Sequence, residues 1–231
     1  MTDPLDRLDE AGRAQLAAVV AMVAGDERAP SSVRDPEDAW RVHVADSLSG
    51  LELEPLATAR RIADVGSGVG FPGLALAAAL PEAEVDLVES LERKCEFMRR
   101  AVERGGLVNV GVVCERAEDW ARKGPTSGGR EVYDAVTARA VGRLSTLAEL
   151  ASPLLRGGGV LVAWKGKKDA GEEAEMNRAS KGTGMEVEEV RWVGPYAGSR
   201  HRHLYLLRKV GPTPEGLPRR AGMAKKRPMG S

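Results

Sequence analysis

The chain has 231 residues, enough for one large domain with an extension. Its 42% hydrophobic and 29% charged residues supply an ordinary packed core, and no apolar run approaches the roughly 20 residues needed to cross a bilayer. Net charge is zero but segregated: residues 1–60 hold 12 acids and 6 bases, whereas residues 165–231 hold 15 bases and 8 acids, which suits a polyanionic partner at one end only.

The N-terminus carries Asp3, Asp6, Asp9 and Glu10 where a signal peptide needs a basic region. Residues 1–60 read as an N-terminal helical cap. Leu16, Val19, Val20 and Val23 fall at helical spacing. Residues 26–34 form a linker, and Asp35-Pro36-Glu37-Asp38 then starts a second helix with a capping acid, proline in the first turn and acids at the positive helix end. Trp40, Val44, Leu48 and Leu51 give that helix an apolar stripe.

From residue 61 strands and helices alternate. Strand-like runs are 61–65, 84–89, 109–114, 132–137, 158–164, 185–193 and 203–209. Helix-like runs are 72–80, 91–104, 143–154 and 168–180, with a short one near 116–122. This rhythm predicts right-handed crossovers and a mainly parallel sheet over residues 61–210. Residues 123–131 read as a surface loop, and 211–231 as a Pro/Gly-rich basic tail. The stretch 194–199 is too short for a helix, so the last two strands are antiparallel. A dinucleotide-binding sheet continues with crossovers instead.

Residues 62–73 read Ile62-Ala63-Asp64-Val65-Gly66-Ser67-Gly68-Val69-Gly70-Phe71-Pro72-Gly73, a strand ending in an acid, a glycine-dense turn and a helix start. Gly68 to Gly73 match GxGxxG, but the first glycine after the strand is Gly66, which puts the match out of register for a pyrophosphate site. A pyrophosphate at this turn would be repelled by Asp64. S-adenosylmethionine carries a sulfonium and an α-ammonium, both favoured by a nearby carboxylate. Asp64, Gly66, Gly68 and Gly70 therefore point to the methyl donor. Glu89 ends the second strand, where an acid accepts from ribose hydroxyls. Ala117 and Glu118 follow the third strand, where the adenine would lie. Together these features predict an α/β fold of class I S-adenosylmethionine-dependent methyltransferase type: Rossmann-like, seven-stranded, mostly parallel, with a terminal antiparallel hairpin and the N-terminal cap.

The fourth strand leads into Ala138-Arg139-Ala140, where many amino methyltransferases carry an Asn/Asp-Pro-Pro-aromatic motif. Arginine does not serve as a base, but it grips a carboxylate, a phosphate or the O6/N7 edge of guanine. Arg139 thus suits an acceptor that needs no deprotonation, such as guanine N7, while an ion-pair role toward Asp64 or the cofactor carboxylate is compatible with it. Cys95 and Cys114 lack CxxC spacing and a Pro-Cys motif, and read as reduced thiols of a cytoplasmic protein rather than nucleophiles. His201 and His203 share a strand face without forming a metal-ligand pattern, so no metal is expected. Lys165, Lys167 and Lys168 follow the fifth strand, and Arg200 and Arg202 lie in the terminal hairpin. Arg219 and Arg220, with Lys225, Lys226 and Arg227, are in the tail. These are phosphate-type contacts that position RNA. With aromatics at 4%, Phe71, Trp164 and Tyr196 are the nearest candidates for stacking on a base.

Several stretches resemble one family. They are Trp40-x-x-His43-x-x-Asp46-Ser47-Leu48, Asp64 to Gly73, Glu89-Ser90-x-x-x-Lys94, Arg116-Ala117-Glu118, Ala138-Arg139-Ala140, Trp164-Lys165-Gly166, Arg202-His203-Leu204, and Pro218-Arg219-Arg220-x-Gly222-x-x-Lys225-Lys226-Arg227-Pro228. The chain resembles the bacterial RsmG/GidB family of 16S rRNA guanine-N7 methyltransferases. The resemblance implies cofactor contacts at Gly66, Phe71, Ala117, Glu118 and Arg139. It also implies a target guanine in the decoding-region loop, with 16S rRNA or a small ribosomal subunit particle as partner; the protein itself is expected to be a monomer. Two departures stand out: segment 123–131 is longer than usual, and Glu89 stands where many members have Asp. His43 and Asp46, three apart on a helix, are placed to meet through their side chains or to line the acceptor pocket.

Overall fold

The computed structural model describes residues 3–231. Seven strands form one sheet: β1 (Arg61–Val65), β2 (Glu84–Val88), β3 (Val110–Val113), β4 (Tyr133–Arg139), β5 (Leu155–Lys165), β6 (Met185–Trp192) and β7 (His203–Lys209). Their order is β3-β2-β1-β4-β5-β7-β6. The first five run parallel, while β7 lies antiparallel between β5 and β6. The sequence places β6 and β7 as neighbours. Only the structure shows β7 taking the inner position, where Leu204, Leu206 and Leu207 are buried. β5 begins at Leu155, earlier than its apolar run suggests, because Leu155 pairs with Tyr133 across a register shift.

Period-two alternation splits the apolar residues between two cores. Ile62, Val85, Leu87, Val160 and Val162 face one core; Ala63, Val65, Val136, Leu161 and Ala163 face the other. On the first face lie α1 (Glu10–Gly25), α2 (Pro36–Ala39), α3 (Asp46–Leu48), α4 (Glu54–Ala57), α5 (Gly73–Ala79) and α6 (Glu92–Gly105). On the second lie α7 (Ala117–Trp120), α8 (Leu144–Ala151) and α9 (Ala170–Thr183). Among the described residues no helix is long and apolar enough to cross a membrane.

The N-terminal helices have no core of their own. Leu16, Val19, Val20 and Val23 join Leu74, Leu76 and Phe97 in one cluster. Asp9 caps α1 by accepting from Gly12 N–H at 2.7 Å, and Asp35 caps α2 by accepting from Asp38 N–H at 2.9 Å. A Cβ at Gly12 would stand 2.6 Å from the Ala78 carbonyl oxygen, so glycine permits α1 to approach α5. The helix predicted after Asp35 is not uniform. Trp40–Ala45 forms a π-helical turn in which Asp46 N–H reaches back to Arg41 C=O.

The tail is ordered against α8. Leu217 and Ala224 are buried, and Thr146 Oγ1 donates to the Ala224 carbonyl at 3.2 Å. Arg219 Nε donates at 2.6 Å to Glu149, which is 3% exposed. A short helix, α10 (Met223–Lys226), completes this segment.

Candidate functional site

Two clefts open at the carboxyl ends of the parallel strands and share Ala140 and Val141. One, of about 550 Å³, lies over the glycine turn and is lined by Gly66, Glu89, Arg116, Glu118, Lys225 and Lys226, among others. The other, of about 530 Å³, lies over the end of β4 and is lined by His43, Asp46, Arg139, Trp164, Lys165 and Arg202, among others.

The glycine-turn cleft is built from strand ends. Gly66 has φ of +71°, a left-handed conformation that glycine adopts at no steric cost. A Cβ there would lie 2.8 Å from a Val141 methyl, so the missing side chain is also a packing requirement. Glu89 stitches the turn to α6. It accepts from Gly68 N–H at 3.3 Å, Ser90 N–H at 2.8 Å, Leu91 N–H at 3.1 Å and Lys94 Nζ at 3.3 Å. Glu118 accepts from Gly222 N–H at 2.7 Å, which anchors the tail to the rim of this cleft.

Asp64 does not reach the cleft lining. It is 0% exposed, accepts from Thr137 Oγ1 at 2.9 Å and from Gly73 N–H at 3.2 Å, and so pins the start of α5 to β4. Burial pushes its carboxyl up to about 6, against the lowering effect of those hydrogen bonds. It remains a carboxylate at neutral pH and acts on the cleft through the turn rather than by contact. Pro72 precedes α5 as its cap residue. Gly70 packs against Leu74, and Ala117 is buried at the start of α7. Phe71 is buried and stacks on His43, ring centroids 5.2 Å apart and 9° from parallel. That contact occupies a ring face of Phe71, which the sequence offered as a base-stacking platform. Of the predicted cofactor residues, Gly66, Glu89 and Glu118 line the glycine-turn cleft and Arg139 lines its neighbour.

The Arg139 cleft is assembled from distant segments. Arg139 Nη1 donates to Asp46 Oδ2 at 2.9 Å and to the Val42 carbonyl at 3.1 Å. The partner of Arg139 is therefore Asp46, not Asp64. Trp164 Nε1 donates to the Asp46 carbonyl at 2.8 Å and docks α3 onto β5; Trp164 is buried in that role. Arg202 Nε lies 3.3 Å from Asp46 Oδ1 as an ion pair. The N–H is not aimed at the oxygen, so Asp46 Oδ1 and Arg202 Nε are both buried without a hydrogen bond. His43 Nδ1 is a third such atom in the same cleft. His43 and Asp46 do not bond to each other; His43 Nε2 meets Ser31 Oγ at 3.0 Å. Burial, reinforced by the Arg139 charge, pushes the His43 imidazole down to about 4.

The basic residues divide. Lys165 Nζ donates to Glu172 at 2.6 Å and to the Gly142 carbonyl at 2.9 Å, holding the β4–α8 loop. Arg219 is engaged by Glu149 and Arg202 by Asp46. These three cations are each paired with an acid of the protein itself. Lys167, Arg200, Arg220, Lys225, Lys226 and Arg227 are exposed. Cys95 Sγ donates to the Glu89 carbonyl at 3.3 Å and Cys114 Sγ to Glu92 Oε2 at 3.0 Å. Burial pushes the Cys114 thiol up to about 12, and neither sulfur lines the Arg139 cleft. His203 Nδ1 bonds to the Gly166 carbonyl at 2.7 Å.

Ala140, at the junction of the clefts, has φ of +60°. For a residue with a Cβ this conformation costs roughly 1–2 kcal/mol. The sequence held no signal for this strain, for the π turn or for the Asp46 partnership, since all three depend on how β4 meets the N-terminal helices.

Known proteins share this fold. Solved structures with the same fold include cofactor-bound Rv0187 from MTB (TM-score 0.54, 21% identity, 88% of this chain and 91% of that one). A SAM-dependent O-methyltransferase from Thermotoga maritima also matches (TM-score 0.54, 17% identity, 85% and 73%). Curated relatives are closer in sequence. The chain is 42% identical over 230 residues to the ribosomal RNA small subunit methyltransferase G of Rubrobacter xylanophilus, covering 95% of this chain and 86% of the relative. It is 39% identical over 199 residues to that of Desulfitobacterium hafniense, covering 86% and 81%. Residues 15–204 match the family model described as rRNA small subunit methyltransferase G. With that match spanning most of the chain and both clefts in place, the chain belongs to the GidB family, the rRNA small subunit methyltransferases G.

Proposed function

We propose that the protein transfers the methyl group of S-adenosylmethionine to N7 of a guanine in the decoding-region loop of 16S rRNA. The observation that carries this reading is the pair of clefts meeting at Ala140 and Val141. One side has the glycine turn and two strand-end acids expected for the donor. The other has an arginine-rich pocket whose one histidine is held neutral. A base with pKa near 7 serves proton abstraction best; His43, near 4, is poorly matched to that task. Guanine N7 presents an in-plane lone pair and needs no base.

The residues fit the cofactor. Gly66 leaves the space a Cβ would fill. The Glu89 carboxylate borders the cleft, and ribose hydroxyls would take the place of its two long contacts, to Gly68 N–H and Lys94 Nζ at 3.3 Å each. Glu118 and the backbone at Ala117 stand on the adenine side. When bound, the cofactor supplies an electrophilic methyl group. The protein's part is positioning: holding the guanine so that N7 lies in line with that methyl, which substitutes for the entropy cost of bringing two molecules together. Arg139, one residue before the junction, lines the acceptor pocket and supplies positive charge there. The exposed Lys167, Arg200, Arg220, Lys225, Lys226 and Arg227 steer the RNA backbone toward the site. The protein acts as a monomer in the cytoplasm.

Small-subunit particles that lack the modification, incubated with radiolabelled S-adenosylmethionine and the protein, test this directly. The expected result is one labelled guanine whose glycosidic bond becomes labile after borohydride reduction, the signature of N7 methylation. Label on an exocyclic nitrogen, on a ribose or on another base overturns it.

A further inference from the structure

Among the described residues, three of the four buried side-chain atoms without a hydrogen-bond partner belong to residues that line one cleft: His43 Nδ1, Asp46 Oδ1 and Arg202 Nε. Asp46 is only 5% exposed. A buried carboxylate oxygen left unsatisfied is costly in free energy, and such an atom just beneath a cavity wall marks where a ligand, met by a small side-chain shift, supplies the missing bond. The set is specific: one free carboxylate oxygen, with an unused Nε–H 3.3 Å away. Asp46 Oδ2, already accepting from Arg139, keeps a second lone pair.

Resting on the N7 reading above, we propose that Asp46 is the residue that selects guanine, by accepting hydrogen bonds from N1–H and the N2 amine of the target base while Arg202 donates to O6. Of the four bases only guanine offers two adjacent donors beside an acceptor on its Watson–Crick edge. Adenine would turn the N1 lone pair toward the carboxylate. With that edge held by Asp46 and Arg202, N7 lies beyond O6, outside the set of hydrogen bonds that grips the base. A base read on its Watson–Crick edge must be unstacked and unpaired, which suits a nucleotide turned out of a loop. A cavity of about 530 Å³ accommodates one nucleotide.

Inosine isolates the claim, because it keeps N7, O6 and N1–H and lacks only the N2 amine. Small-subunit particles reconstituted with guanosine or inosine at the target position are compared for kcat/KM with S-adenosylmethionine saturating. Loss of one hydrogen bond to a charged group should lower kcat/KM for inosine by about 10–100-fold in the wild-type protein. In Asp46→Asn, whose amide nitrogen meets a base donor, and in Asp46→Ala, the guanosine-to-inosine ratio should fall to within about threefold. Each ratio is taken within one variant, so a general loss of activity cancels. Where turnover of a variant is too low, the dissociation constants of the two particles carry the same ratio. A wild-type protein indifferent to inosine overturns the proposal without any variant being needed. Undiminished discrimination by both Asp46 variants overturns it as well. Failure of the wild type to methylate N7 of the guanosine particle would instead remove the underlying reading.

Discussion

The glycine-turn cleft and the Arg139 cleft share a wall but are built in opposite ways. In the first, most functional groups come from strand ends and the turns that follow them; Gly68 and Glu89 are 21 residues apart, and only the tail, bonded to Glu118 from 104 residues away, comes from a distance. Its two acids are hydrogen-bonded within the protein. In the second, Arg139 meets Asp46 across 93 residues, and Asp46 meets Trp164 across 118. Three polar atoms there remain unpartnered. A cleft whose groups are already paired favours a preformed shape, whereas one with unused hydrogen-bonding capacity discriminates among ligands, because only the right ligand supplies the missing bonds.

The largest effect is expected from Arg139→Ala. It removes the guanidinium at the junction and leaves Asp46 with a buried, less compensated charge. Turnover should drop about 100-fold or more, on the scale of other donors aimed at a reacting group. Binding of S-adenosylmethionine, followed by calorimetry, should change by less than about threefold if the two clefts are as separate as their geometry indicates. Turnover equal to wild type would break the distinction.

Acid stability probes the same cleft through His43. Its folded pKa, near 4, lies below the ordinary value of 6.5. The neutral ring therefore contributes stability that is fully present above about pH 6.5 and is lost as pH falls toward 4. His43→Gln should remove this loss. Relative to wild type, the variant should gain on the order of 2 kcal/mol between pH 7 and pH 4.5 in urea titrations. Equal pH dependence in both proteins would show that His43 is not held neutral by its surroundings.

Gly66→Ala tests the glycine-turn cleft. The left-handed backbone and the Val141 contact both oppose a Cβ. S-adenosylmethionine affinity should fall about tenfold, the equivalent of roughly 1.4 kcal/mol. The guanosine preference of the neighbouring cleft should persist. A loss of that preference would mean that the clefts are coupled through Val141.

The smallest effect belongs to the shared wall. Ala140→Gly relieves the left-handed strain but loosens the unfolded chain, so the net gain is about 0.5–1 kcal/mol in unfolding free energy. Greater stability with slower methyl transfer would show that the strained junction serves positioning. Greater stability with unchanged transfer would assign the strain to packing alone.

The sequence by itself determined the element order, the parallel-to-antiparallel change, the glycine-turn cleft and the family. Each of these is written locally: a strand, the turn that follows it and the first residues of the next helix are contiguous, and side-chain periodicity reports the buried face directly. The three-dimensional packing alone decided that β7 enters between β5 and β6, and that the tail folds back onto Glu118 from 104 residues away. It also turned Asp64 inward to serve α5, paired Lys165, Arg202 and Arg219 with acids of the protein, and widened a helix into the π turn that sets His43 and Asp46 against Arg139. Residue identity states which charges exist. Whether a charge faces solvent, a partner or a cavity depends on contacts between segments far apart in the chain, and no local pattern encodes those.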